Sequence, residues 1–275
     1  MRGAVEVLDR PLSPPSLVRI RDLHKRYALG GGSTLAALAG VDLDIARGEV
    51  VSIVGGSGCG KSTLLRVIAG LERPEHGSVS VGGRVIDGPG ADRGLVFQES
   101  RLLPWLTVAE NVAFGLAERP RAERERLVHE LLERVGLRGF EHAHPHQLSG
   151  GMAQRVAIAR ALAPGPLVLL MDEPFGALDA LTRLRMQEEL MNIWSVEKTT
   201  LALVTHDVEE AIYLGDRVVL MSQRPGRIAR VFDVSLGRPR DRTSPAFAAL
   251  RRSVLGELLE TVRQPEAVRA QAVAS

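Results

Sequence analysis

Apolar and polar residues alternate from Leu17 onward, with Val18, Ile20 and Leu23 set around Arg19 and Asp22, and this period of two predicts a half-buried strand. Residues 41–45 repeat the pattern until Gly48 breaks it. Residues 50–54 (Val-Val-Ser-Ile-Val) are almost wholly apolar and run into glycines, which suits a parallel strand covered on both faces. A helix is expected over 61–70, with Leu64, Leu65 and Ile68 on one side, and a turn-rich strand section over 77–97.

From about Glu99 to Ala161 the pattern turns mainly helical. Pro120 suits the first position of a helix, Leu127, Val128, Leu131, Leu132 and Val135 form one apolar face, and Gly136 is a good stop. Apolar strands return at 167–171, 200–204 and 218–221. Phe247, Leu250, Val254, Leu258 and Val262 predict a final amphipathic helix. The expectation is an α/β fold with a parallel sheet, an antiparallel β section and an inserted helical subdomain. Its divisions are an extension without fixed structure at 1–16, a main domain at 17–235 with the insert at about 99–161, and a helical tail at 236–275.

With 45% hydrophobic and 25% charged residues the chain is ordinary for a globular protein, which excludes disorder, collagen and a disulfide scaffold. A net charge of +2 is too small to argue for a nucleic-acid surface. Only three of the 35 basic residues are lysines (Lys25, Lys61 and Lys198), a bias read as codon usage and not as a phosphate code. The single cysteine, Cys59, precludes an internal disulfide. No run reaches the roughly 18 apolar residues that span a bilayer, and the N-terminus has no signal-peptide core. The expected place is therefore the cytosol, with any membrane contact made through a partner.

The chemistry begins at Gly55-Gly56-Ser57-Gly58-Cys59-Gly60-Lys61-Ser62, which fits G-x-x-x-x-G-K-[ST], followed by Thr63. It stands after a buried strand and before a helix, as the mechanism requires. Glycines let successive backbone N–H groups converge on phosphate oxygens, and the helix N-terminus adds partial positive charge. Lys61 then reaches the β and γ phosphates and the Ser62 hydroxyl is placed for Mg²⁺. Cys59 reads as a small filler whose thiol is open to alkylation when nucleotide does not cover it. Downstream, an apolar strand delivers Asp172 and Glu173 to its C-terminal end, where open α/β sheets bind ligands. Asp172 suits a water-mediated Mg²⁺ ligand and Glu173 the residue that positions or deprotonates the attacking water. His142, His144 and His146 alternate around Pro145 and read as a solvated turn rather than a metal cluster.

Leu148-Ser149-Gly150-Gly151-Met152-Ala153-Gln154-Arg155 opens a second glycine-rich helix inside the insert. With it the sequence resembles the ATP-binding cassette ATPases, whose signature is LSGGQ or a close variant. Further family motifs follow the family order: Gln98 in Val96-Phe97-Gln98-Glu99, Leu178-Asp179, and His206 in Val204-Thr205-His206-Asp207, with Tyr27 where the family sets an aromatic ring against adenine. Taken singly, Tyr27 also reads as a core aromatic and Gln98 as a strand end. The resemblance covers roughly residues 17–235 and implies a RecA-like P-loop NTPase core that binds ATP and Mg²⁺. It further implies that Gln98 ligates Mg²⁺, that His206 contacts the γ-phosphate, that Gly150 and Asp179 are among the nucleotide-binding residues, and that Ser149 and Gly151 complete the site of a facing copy.

Residues 99–116 and 173–185 resemble importer ATPases, more narrowly those of nitrate, sulfonate and taurine uptake. This implies a homodimer on the cytoplasmic side of the membrane, two permease subunits, a solute-binding protein outside, and no nucleic acid. The alternative is a cassette ATPase acting on nucleic acid or ribosomes. Leu102, Leu103, Pro104, Trp105 and Leu106 cannot all face one side, so Leu103 and Trp105 are expected to line a groove for a permease helix.

Overall fold

The computed structural model describes residues 16–29 and 33–273, with the backbone alone for 262–273. The expected extension thus lies, apart from Ser16, outside the described residues. Among the described residues there are ten strands and seven α-helices: β1 Ser16–Ala28, β2 Thr34–Ala46, β3 Val50–Val54, α1 Lys61–Ile68, β4 His76–Val81, β5 Arg84–Val85 and β6 Arg93–Val96 come first. The helical stretch holds α2 Val108–Ala113, α3 Arg121–Arg134 and α4 Gly150–Leu162. There follow β7 Val168–Asp172, α5 Ala180–Glu197, β8 Thr200–Thr205, α6 Val208–Leu214, β9 Arg217–Met221, β10 Ile228–Asp233 and α7 Pro245–Val273.

The strands form two sheets. One is antiparallel, in the order β2-β1-β4-β5; the other runs β10-β9-β3-β8-β7-β6. In the second, β6, β7, β8, β3 and β9 are parallel and β10 pairs antiparallel along the edge. All five residues of β3 and all six of β8 are buried, which explains why their sequences read as continuous apolar runs instead of alternating. The apolar side of α1 fills the space between the sheets, where Leu64, Leu65 and Ile68 join Ile20, Leu23, Val41 and Ile53 in one core. Burying each of those α1 side chains contributes about 1.5–3 kcal/mol. A second core lies on the other face of the parallel sheet against α5, α6 and α7. A third lies within α2–α4.

Two local expectations change. Residues 77–97 are not one section: β4 and β5 belong to the antiparallel sheet, whereas β6 crosses to the edge of the parallel one. Pro120 is the N-cap of α3 and not its first residue, with an extended ψ of 144°. Among the described residues no helix is long and apolar enough to cross a membrane.

Candidate active site

The C-terminal ends of β3, β7 and β8 place three loops side by side, and a cleft of about 390 Å³ opens there. Tyr27, Ser57, Gly58, Gly60, Lys61, Ser62, Thr63, Glu173 and His206 all line it. The loop after β3 is wound tightly enough to need glycine. Gly60 has φ +109°, and a Cβ there would lie 2.7 Å from the Ala37 carbonyl; Gly58 has φ +71°, with an Arg224 nitrogen 2.8 Å from the same point. Such a winding suits a loop whose N–H groups converge on an anion. Lys61 is buried and its Nζ donates to the carbonyls of Gly55 (2.9 Å) and Gly56 (3.1 Å), which holds the ammonium inside the cradle.

The apolar run Val168–Met171 is fully buried and brings Asp172 out half-buried at its end. The Ser62 hydroxyl donates to Asp172 Oδ1 at 2.8 Å. Burial pushes the Asp172 carboxyl above the ordinary carboxylate range and Glu173 adds to this, while the Ser62 hydrogen bond opposes it. Glu173 itself sits at φ +47°, a left-handed conformation that costs a non-glycine residue energy and is common at functional sites. Its N–H donates to the Val204 carbonyl, and its Oε2 stands 2.9 Å from His206 Nδ1. Two adjacent strands thereby present a carboxylate and an imidazole in contact, at the mouth of a phosphate-shaped loop.

Tyr27 is held at the rim of the cleft, and the remaining expected residues are placed elsewhere. The Tyr27 hydroxyl donates to Thr63 Oγ1 at 3.4 Å, and Lys25 Nζ lies 5.1 Å from the ring centre. Gln98 is exposed beyond the end of β6; it does not line the cleft but stands against the turn at Gly176. Ser149 caps α4 by accepting from the Met152 N–H, and Asp179 caps α5 by accepting from the Thr182 N–H. Gly150 and Gly151 pack on Leu178 and Thr182, so the start of α4 abuts the start of α5, away from the cleft of their own chain. Cys59 contradicts the expectation of an open thiol. Its backbone belongs to the loop, but its side chain is wholly buried in the core between the sheets, and burial pushes the thiol pKa up. His144 and His146 stack on one another, and no metal-holding cluster exists among the described residues.

Sequence reasoning missed Arg224. Its guanidinium lines the cleft and donates twice to the Gly58 carbonyl, from Nε at 3.0 Å and from the terminal nitrogen at 2.7 Å. The only signal was its place just after β9, beside β3 in the sheet, and neighbourhood in a sheet is not legible from the local pattern.

The comparisons agree with this geometry. The family described as ABC transporter matches residues 38–176. The aliphatic sulfonates import ATP-binding protein SsuB of Bacillus subtilis is 49% identical over 231 residues, which are 84% of this chain and 90% of that one. SsuB 2 of Burkholderia lata is 51% identical over 234 residues, 85% of this chain and 84% of its own. A solved structure described as a dimeric, post-hydrolysis ATP-binding cassette bound to ADP and Pi superposes with a TM-score of 0.70 at 35% identity, covering 79% of this chain and 98% of that one. The phosphate loop, the paired Glu173 and His206, and kinship over most of the chain lead to one conclusion: this protein belongs to the ATP-binding cassette family, as an ATP-binding subunit of the ABC transporters.

Proposed function

We propose that the chain hydrolyses ATP between two copies of itself, bound to a pair of membrane permease subunits, and so energises uptake of a small anion. The observation that carries this reading is the convergence of Lys61, Ser62, Glu173 and His206 on one cleft. Lys61 and the loop N–H groups hold the phosphates, and Tyr27 offers its ring to the base. Glu173 orients or deprotonates the attacking water, and His206, in contact with that carboxylate, holds it and meets the γ-phosphate.

The donor chemistry fits Mg²⁺, because a hydroxyl and a carboxylate are hard oxygen ligands and Ser62 and Asp172 already touch. Ser62 and Asp172 would hold it, and when bound it neutralises phosphate charge; Gln98, expected as a further oxygen donor, stands off the cleft against Gly176. Ser149, Gly150, Gly151 and Asp179 lie off their own cleft, which supports their use on the nucleotide of the facing copy.

The named relatives that import aliphatic sulfonates make such a sulfonate the leading solute, with taurine and nitrate as near neighbours in chemistry. The permease pair would hold this subunit at the cytoplasmic face of the membrane and receive solute from a binding protein outside. No observation favours an ATPase acting on nucleic acid or ribosomes. The test is growth on an aliphatic sulfonate as sole sulfur source. The wild-type gene is expected to support growth and labelled-sulfonate uptake, while Lys61→Ala, which loses the ammonium over the phosphates, supports neither and binds ATP at least tenfold more weakly. Equal uptake with both genes would reject the assignment.

A further inference from the structure

Behind the catalytic pair lies a set of buried polar side chains that the phosphate chemistry does not use. Glu210, on the first turn of α6, is 4% exposed, and Gln187, in the middle of α5, is 1% exposed. Gln187 Nε2 donates to Glu210 Oε2 at 2.8 Å, while Gln187 Oε1 accepts from an Arg242 nitrogen at 2.6 Å. Arg242 comes from the segment between β10 and α7, and its guanidinium also lies 3.7 Å from the centre of the Tyr213 ring on α6. On the other side, the Glu210 N–H donates to Asp207 Oδ1 at 3.2 Å, and the Asp207 N–H in turn donates to Thr205 Oγ1 at 3.0 Å. Thr205 and Asp207 flank His206, and Glu210 lines a small cleft together with Glu173, Thr205 and His206.

The direction of this chain is fixed by chemistry. A guanidinium can only donate, so the Gln187 oxygen must face Arg242 and its amide nitrogen must face Glu210. Glu210 must then accept, which it does through Oε2 whether or not the carboxyl carries a proton. With every link inside the protein, no single amide can turn without leaving a buried donor unpaired.

We propose that Glu210 is a positioning residue for the reaction, holding the turn that carries His206 and coupling it through Gln187 to Arg242 of the C-terminal segment. The tail is then a control element: whatever displaces Arg242 loosens the His206 turn and slows turnover without weakening the grip on nucleotide. This rests on the ATPase reading above, so the test has an arm that does not depend on activity.

The experiment uses the full chain with Glu210→Met, which keeps volume but removes the acceptors, Arg242→Ala, and the two combined. Each single change is expected to lower kcat about three- to tenfold with KM for ATP within about twofold, and the double variant to lose less than the product of the singles. Glu210→Gln, which keeps an acceptor toward Gln187, should recover most of the loss seen in Glu210→Met. Independently, hydrogen exchange at the amides of residues 205–207 should quicken in Arg242→Ala while those of β3 and α1 stay as in wild type. If Glu210→Met does not fold, Arg242→Ala alone decides through its kcat and its exchange pattern. Multiplicative losses, a parallel rise in KM, or unchanged exchange at 205–207 would overturn the proposal. Absence of turnover in wild type would instead strike the ATPase reading and leave the exchange arm to judge the coupling.

Discussion

At the scale of single residues, two buried groups behave unlike their exposed counterparts. Glu210 is pushed from an ordinary 4.5 to about 7, chiefly by burial; Asp207 adds to the rise, and hydrogen bonds from Thr205 and Gln187 together with the charge of Arg183 oppose it. Between these two pH values the folded chain keeps a proton that the unfolded chain has lost. Its contribution to stability therefore falls as pH rises from about 4.5 to about 7, by about 3 kcal/mol in all, and is level above that. Glu210→Gln is expected to flatten this slope in urea unfolding measured across the same window. An unchanged slope would mean that Glu210 titrates normally. Cys59, wholly buried with a raised thiol pKa, should react with a thiol reagent only on unfolding, with or without ATP. Cys59→Ser should cost about 1–3 kcal/mol by placing a hydroxyl in an apolar core. Alkylation of the native chain at the rate of a free thiol would contradict this placement. The phosphate loop, Asp172, Glu173 and His206 were legible because each follows an apolar strand at a fixed offset. Arg224, Gln187 and Glu210 were not, since their partners lie 23 to 166 residues away in sequence and only the fold brings them together.

At the scale of elements, buried parallel strands declared themselves by apolar runs, and the tail helix by Phe247, Leu250, Val254 and Leu258, which pack on the second core. Val262 falls among the residues whose side chains are not described. The pairing of β6 could not be read, because a strand of only four residues, Arg93 to Val96, does not say which sheet it joins. The edge strand β10 has no such run: Arg230 and Asp233 interrupt it and Phe232 alone of its side chains is buried. The apolar run after Gln98 divides as its geometry demands: Leu102 packs inside, Leu103 is half-buried and Trp105 is 70% exposed. Asn111 fixes the turn, accepting from the Leu103 N–H and donating to the carbonyls of Leu103, Leu106 and Thr107. Phe114, at the end of α2, is 63% exposed. Large exposed aromatics mark contact sites, so, on the proposed function, the permease contact is expected at Trp105 and Phe114 as well as Leu103. Trp105→Ser with Phe114→Ser should leave the melting temperature and ATP affinity of the isolated subunit near wild type, yet weaken co-purification with the permease at least tenfold. Intact assembly would place the contact elsewhere.

At the scale of the whole molecule, the proposed reading gives one half-site to the sheet and the other to the helical stretch. Lys61 and Glu173 line the cleft at the ends of β3 and β7, whereas Ser149 caps α4 and Gly151 packs on Thr182 of α5. A chain that holds both halves apart is complete only when two copies face head to tail around two nucleotides, and that is the central claim. The most direct measurement is the solution mass of Glu173→Gln with and without ATP, taken beside its turnover. The variant keeps the shape of the side chain but loses the carboxylate proposed to act on water, so turnover should fall about 10²-fold or more. Bound ATP, no longer consumed, should then carry the species from its 29.7 kDa mass to a dimer of twice that. A variant that stays monomeric in saturating ATP, or that turns over at the wild-type rate, would contradict the account.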